Sequence, residues 1–180
     1  MSAWIALLRG INVGGKNVLP MKDLTELIET AGCTDVKTYV QSGNAVFRSS
    51  KTAATQLAKQ IAHGVAERRG FRPGVLVLSI RELEQAVAAN PFPEAESDPK
   101  ALHVFFLAES PKLPNIVSLN AIKSENETFV LEGKAFYLHA PDGIGRSKLA
   151  QRTERLLGVD ATGRNWRTVT KVLALARELE

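Results

Sequence analysis

The order of apolar runs and helix-period stretches in this chain occurs twice, and that repeat restricts the fold more than any single motif does. Ala3 to Arg9 is an apolar run closed by Gly10, too short for a helix and therefore read as a buried strand. Gly10 to Asn17 reads as a loop. Pro20 suits the first turn of a helix, in which Leu24, Leu27, Ile28 and Ala31 share one face until Gly32 ends it. Val36 to Val40 and Ala45 to Arg48 flank Ser42-Gly43-Asn44, a hairpin turning at Gly43. A second helix runs from about Thr52, with Leu57, Ile61 and Val65 on one face, to Gly70. Val75 to Ile80 is a strand, and Arg81 to Ala89 a short helix.

Asn90 to Lys100 carries Pro91, Pro93 and Pro99 among acidic residues and reads as a linker. Beyond it the order returns. His103 to Ala108 is a strand, Asn115 to Lys123 a helix, and Thr128 to Leu131 with Ala135 to Ala140 a hairpin turning at Gly133. Ser147 to Leu157 is a helix ended by Gly158, Val159 to Thr162 a short strand, and Trp166 to Leu179 a helix with Trp166, Val169, Leu173 and Ala176 facing inward. Order βαββαβ is the ferredoxin-like plan, an antiparallel sheet with two helices on one face. The expected fold is α+β, with two ferredoxin-like halves at 1–90 and 91–180 packed as one compact unit, the mark of an internal duplication.

That plan also places the loops. Strands one and two of such a unit run parallel, so Gly10 to Asn17 and Gln41 to Asn44 leave the first sheet at the same edge and are expected to be neighbours. By the same reasoning, Asp142 to Lys148 is expected beside Thr162 to Trp166 in the second half. These two constellations are the candidate sites.

Charge favours an anionic partner for the second. Pro141 to Arg177 carries eight lysines and arginines against three acids, a net +5, while the rest of the chain nets −1. One cysteine, Cys33, excludes an internal disulfide and reads as a small buried hydrophobe. No apolar run reaches the roughly 18 residues of a membrane helix and no signal peptide is evident, so the expectation is a cytoplasmic protein with no membrane partner. His63, His103 and His139 have no metal-binding spacing, and neither a metal nor a cofactor is expected.

Gly10-Ile11-Asn12-Val13-Gly14-Gly15-Lys16-Asn17 matches the glycine and lysine spacing of a phosphate loop, with Asn17 where a hydroxyl should hold magnesium. Pro20 also delays the helix that should begin at the lysine. What survives is a glycine-rich turn whose N–H groups and Lys16 suit an anion. Arg9, Gln41, Ser42 and Asn44 add a polar rim at the same edge. In the second half, Asp142-Gly143-Ile144-Gly145-Arg146-Ser147-Lys148 and Thr162-Gly163-Arg164-Asn165 each precede a helix, where free N–H groups and a positive dipole end attract anions. The anion ligands expected are therefore Arg9, Asn12, Gly14, Gly15, Lys16, Asn17, Gln41, Ser42 and Asn44 in one half, and Arg146, Ser147, Lys148, Arg164 and Asn165 in the other. Ser147 and Asn165 also suit helix caps.

Trp4 to Gly15, Gln41 to Asn44, Asp142 to Leu149 and Thr162 to Val169 together resemble the bacterial domain-of-unknown-function 1697 family over nearly the whole chain. The resemblance implies two ferredoxin-like subdomains in one cytoplasmic protein, and implies no activity. The residues favour binding of a phosphate- or carboxylate-bearing small molecule, such as a nucleotide. No catalytic residue is assigned, because no general base accompanies the cations, and enzyme status stays open. The alternatives are an RNA-binding module, for which 6% aromatic content is low, and a partner-binding protein without a small ligand.

Overall fold

The computed structural model describes residues 1–180 and divides into two compact units, Met1–Gln85 with Thr170–Glu180, and Ala86–Val169. In the first unit the order is β1 (Ser2–Arg9), α1 (Met21–Thr30), β2 (Thr34–Tyr39), β3 (Asn44–Ser49), α2 (Ala54–Arg69), β4 (Gly74–Ser79) and α3 (Ile80–Ala88), which runs across the division. The second unit holds a 3-10 turn at Pro93–Ser97, then β5 (Leu102–Leu107), α4 (Ile116–Ile122), β6 (Thr128–Glu132), β7 (Ala135–His139), α5 (Lys148–Leu157) and β8 (Ala161–Asn165). Helix α6 (Trp166–Arg177) begins in the second unit and ends in the first.

Both sheets are four-stranded and antiparallel, ordered β2-β3-β1-β4 and β6-β7-β5-β8. Each is a βαββαβ unit with its first strand in the middle, so the fold is α+β with a duplicated ferredoxin-like arrangement.

Alternation along β1 directs Trp4, Ala6 and Leu8 to one face. There they join Ala45, Phe47 and Val77 from the sheet, Leu24 and Ile28 of α1, and Leu57, Ile61 and Val65 of α2 in one apolar cluster. Cys33 lies in this cluster, and burial pushes its thiol pKa up. The second unit repeats the design, with Leu107, Phe136, Leu138 and Ala161 packed on Leu119 of α4 and on Leu149 and Leu157 of α5. Phe129 stacks on Phe136 at 5.2 Å, and Phe105 meets the same ring edge-on at 5.9 Å.

The helix stops follow from the sequence. Gly70 and Gly158 end α2 and α5 in the left-handed conformation, each donating its N–H to the carbonyl four residues back. No helix is long and apolar enough to cross a membrane.

One element departs from the sequence reading. The last strand runs over Ala161–Asn165 rather than Val159 to Thr162, so Thr162-Gly163-Arg164-Asn165 is strand and not loop. Gly163 is there for packing, not for a turn: a Cβ at that position would lie 2.8 Å from the Phe105 ring across the ladder. The linker expected at Asn90 to Lys100 likewise contains an ordered 3-10 turn, with Ala95 buried.

Candidate functional site

The loop after β1 folds back on itself. Val13 and Lys16 form an isolated bridge around Gly14 and Gly15, both at positive φ (58° and 72°), and Lys16 N–H donates to the Val13 carbonyl at 3.0 Å. Two successive positive φ values make this a tight hairpin turn that glycine alone adopts without strain. Asn12, itself at φ 52°, braces it from behind. Its amide nitrogen donates to the carbonyls of Leu19 (2.9 Å) and Gln41 (2.8 Å), while its oxygen accepts from Leu19 N–H at 2.8 Å. Asn17 Nδ2 donates to the Gly10 carbonyl at 2.8 Å. The loop is thus closed by its own backbone and amides. Helix α1 begins only at Met21, with Pro20 as its N-cap, so Lys16 does not stand at a helix start as a phosphate loop requires.

The Asn12 to Gln41 bond brings the two edge loops of the first unit together. Gly43, at φ 85°, carries the close approach: a Cβ there would meet Ile11 Cδ1 at 2.7 Å and Leu8 Cβ at 2.8 Å. Asn44 is fully buried, and its amide donates to the Tyr39 carbonyl (2.9 Å) and to Ser42 Oγ (3.0 Å). Arg9 lies along Gly74. Of the residues expected to bind an anion here, Asn12, Asn17 and Asn44 have amides that hold the backbone. Lys16 and Gln41 are exposed.

The second unit offers a different arrangement. A depression of about 830 Å³ is lined by Asp142, Gly143, Gly145, Arg146 and Ser147 from the connection between β7 and α5, by Lys148 at the start of α5, by Ile122 at the end of α4, and by Ser124 and Glu127 between α4 and β6. Gly143 turns the chain at φ 90°, donating to the Ala140 carbonyl. Ser147 caps α5, its Oγ accepting from Ala150 N–H at 3.0 Å. The cap leaves the N–H groups of Lys148 and Leu149 without an intrahelical acceptor at the positive end of the dipole. Arg146 and Lys148 are exposed and make no ion pair.

Arg164 and Asn165 do not join this depression. Arg164 pairs with Val104 in the ladder and shares its face of the sheet, opposite the face covered by α4 and α5. Its Nη1 donates to the Gly163 carbonyl at 2.9 Å, and burial pushes the guanidinium pKa down to about 10, which keeps it cationic at neutral pH. Asn165 Oδ1 accepts from Thr168 N–H at 2.9 Å, capping α6. The expected shared cationic edge is therefore carried by the 142–148 segment alone. Trp166, Val169, Leu173 and Ala176 are buried, as the helical period indicates.

Glu127 and Ser124 escaped the sequence reading. Glu127 is only 4% exposed, and its Oε2 accepts from Ser124 N–H at 3.0 Å. The spacing Ser124-x-x-Glu127 between a helix and a strand was the available signal for this acidic turn. Asp142, at the other end of the lining, accepts from Asn126 Nδ2.

The family described as "Protein of unknown function (DUF1697)" matches residues 1–137. A solved structure of a conserved bacterial protein from Streptococcus pneumoniae is similar to this chain with a TM-score of 0.70 and 22% identity, over 97% of this chain and 98% of that one. That likeness shows the fold. No curated protein matches the chain. The chain belongs to the DUF1697 family.

Proposed function

We propose that this family member binds a small molecule carrying a phosphate or carboxylate, a nucleotide or sugar phosphate among them, with the anion seated at the start of α5. The observation that carries the reading is the depression of about 830 Å³ in which Arg146 and Lys148 are exposed and unpaired beside the capped helix end. A volume in the hundreds of cubic ångströms suits a metabolite rather than a lone ion. Two exposed cations and two backbone donors can surround one anionic group, and charge-assisted bonds of this kind are about twice as strong as neutral ones. The reading is one of binding, and no chemical step is assigned to it.

RNA is the less supported partner. Every large apolar side chain that is strongly exposed is aliphatic or Met1, and Phe47, the aromatic residue of the strand that would supply a stacking platform, is fully buried. The test is calorimetric titration with inorganic phosphate and with ribose 5-phosphate. The unmodified protein is expected to bind both, and the double variant Arg146→Ala, Lys148→Ala to bind at least tenfold more weakly. Equal binding by the two proteins, or none by either, overturns the site.

A further inference from the structure

We infer that the ligand of this depression is zwitterionic, pairing its anionic group with an ammonium group that meets Glu127. The inference rests on the anion reading above and concerns the other half of the same lining. Glu127 is 4% exposed, yet no cation of the protein pairs with its carboxylate. The nearby Lys123 Nζ reaches the Glu127 backbone carbonyl instead, at 3.3 Å. Within the protein the carboxylate takes a single hydrogen bond, from Ser124 N–H to Oε2, so Oε1 is unused at the wall of the depression.

The side chain is thus mostly covered by protein while Oε1 stays open to the solvent of the depression, where a carboxylate attracts a positive charge. Held in place by the Ser124 bond and facing the depression with one free oxygen and no cation of its own, it offers a fixed acceptor to a cation supplied from outside. Asp142 adds a second carboxylate to the lining, engaged by the neutral amide of Asn126. A ligand that is anionic throughout would gain at Arg146 and Lys148 and be repelled at Glu127 and Asp142. One with an ammonium at its far end gains at both. A hydroxyl would satisfy Oε1 as a donor, but it brings no charge to the carboxylate and so gains less.

The experiment holds the phosphate constant and varies the other end. The dissociation constants of 2-aminoethyl, 3-aminopropyl, 2-hydroxyethyl and propyl phosphate are compared by titration on the unmodified protein, with inorganic phosphate as reference. At least one amino compound is expected to bind tenfold or more tightly than both the hydroxyl and the propyl compounds. In Glu127→Gln, whose amide oxygen can still accept from Ser124 N–H, the amino compound is expected to lose that margin while propyl phosphate gains, because a repelling charge has gone. A melting curve checks that the variant folds; if it does not, the ligand series on the unmodified protein decides alone. Equal binding of all four organic phosphates, or a hydroxyl compound as tight as the amino ones, overturns the zwitterion and leaves the anion site standing. Failure of every compound, inorganic phosphate included, overturns the anion site itself.

Discussion

The two units share a register, not only an order of elements, and their differences show which positions the fold demands. Trp4 faces Phe47 and Ser79 in the first sheet as His103 faces Leu138 and Asn165 in the second. Leu8 N–H donates to the Gly43 carbonyl, and Leu107 N–H to the Lys134 carbonyl, at 2.8 and 2.9 Å. Ser79 and Asn165 each cap the helix that follows their strand directly. Within this common frame Ala6 opposite Val77 becomes Phe105 opposite Gly163. The volume of the cross-strand pair is kept while its distribution is reversed, as close packing of a sheet under helices requires.

The largest expected effect tests the hairpins. Gly43 combines a left-handed φ with contacts under 3 Å to Leu8 and Ile11, whereas Gly133 has a positive φ and open space, with nothing within 4 Å of the point a Cβ would occupy. Gly43→Ala should therefore destabilise by about 4 kcal/mol, strain and overpacking together, against about 1 kcal/mol for Gly133→Ala. Urea unfolding measures both. Equal losses would mean that only the backbone conformation matters and that Gly43 has room.

Next is the pair of orphaned rings. Trp4 Nε1 and His103 Nδ1 are both buried without a hydrogen-bond partner at equivalent positions, but only the histidine titrates. Burial pushes the His103 pKa from 6.5 down to about 4. Between those values the unfolded chain binds a proton that the folded chain refuses, so stability rises with pH across the window and is lost on acidification through it. The full shift corresponds to about 3 kcal/mol, complete near pH 4. His103→Leu should remove that part of the pH dependence. An unchanged slope between pH 6.5 and pH 4 would show that His103 meets solvent in the folded protein.

The volume exchange can be broken and restored. Phe105→Ala should cost about 3 kcal/mol and Gly163→Val about 2 kcal/mol, while the double variant rebuilds the small-large pairing of Ala6 and Val77 and should recover at least 1 kcal/mol of the sum. Strict additivity in urea melts would show that the two sheets fill this layer by unrelated means.

The same comparison explains what could be read from the sequence. Element order was legible because Gly10, Gly32, Gly70 and Gly158 stop their segments where the apolar period ends, and because Leu24 with Ile28, or Leu149 with Leu157, recur at helical spacing. Those are local signals. The end of β8 was not legible, since Gly163 resembles a turn glycine until Phe105, far away in the chain, is seen against it. The candidate site was half legible for the same reason. Arg146, Ser147 and Lys148 announce a helix start, but Glu127 reaches the depression only because the α4–β6 connection folds beside the 142–148 segment. The asparagines have a part that the sequence does not show: Asn12, Asn17 and Asn44 stand in a glycine-rich motif, and their amides are used by backbone carbonyls that a sequence does not place.

The smallest expected effect separates the two edges as anion sites. Lys16 and the pair Arg146 with Lys148 are all exposed cations in glycine-containing loops, so their sequences make them equivalent. Their backbones do not. Around Lys16 the N–H groups of Asn12 and Lys16 donate to the carbonyls of Asn17 and Val13, and no helix points its positive end at the lysine. A solvated lysine alone gives a modest Coulomb gain that salt screens further. Around Arg146 and Lys148 the start of α5 adds unpaired N–H groups and the helix dipole, beside a depression of about 830 Å³. Lys16→Ala is therefore expected to change phosphate affinity less than about twofold, roughly 0.4 kcal/mol, and to leave the urea midpoint where it was. The measurement is the same titration used for Arg146 and Lys148, at low and at physiological salt. A tenfold loss in Lys16→Ala that persists at physiological salt would reverse the comparison. It would mean that the Val13–Lys16 turn opens on binding and offers its N–H groups to the anion, making the first unit the binding half.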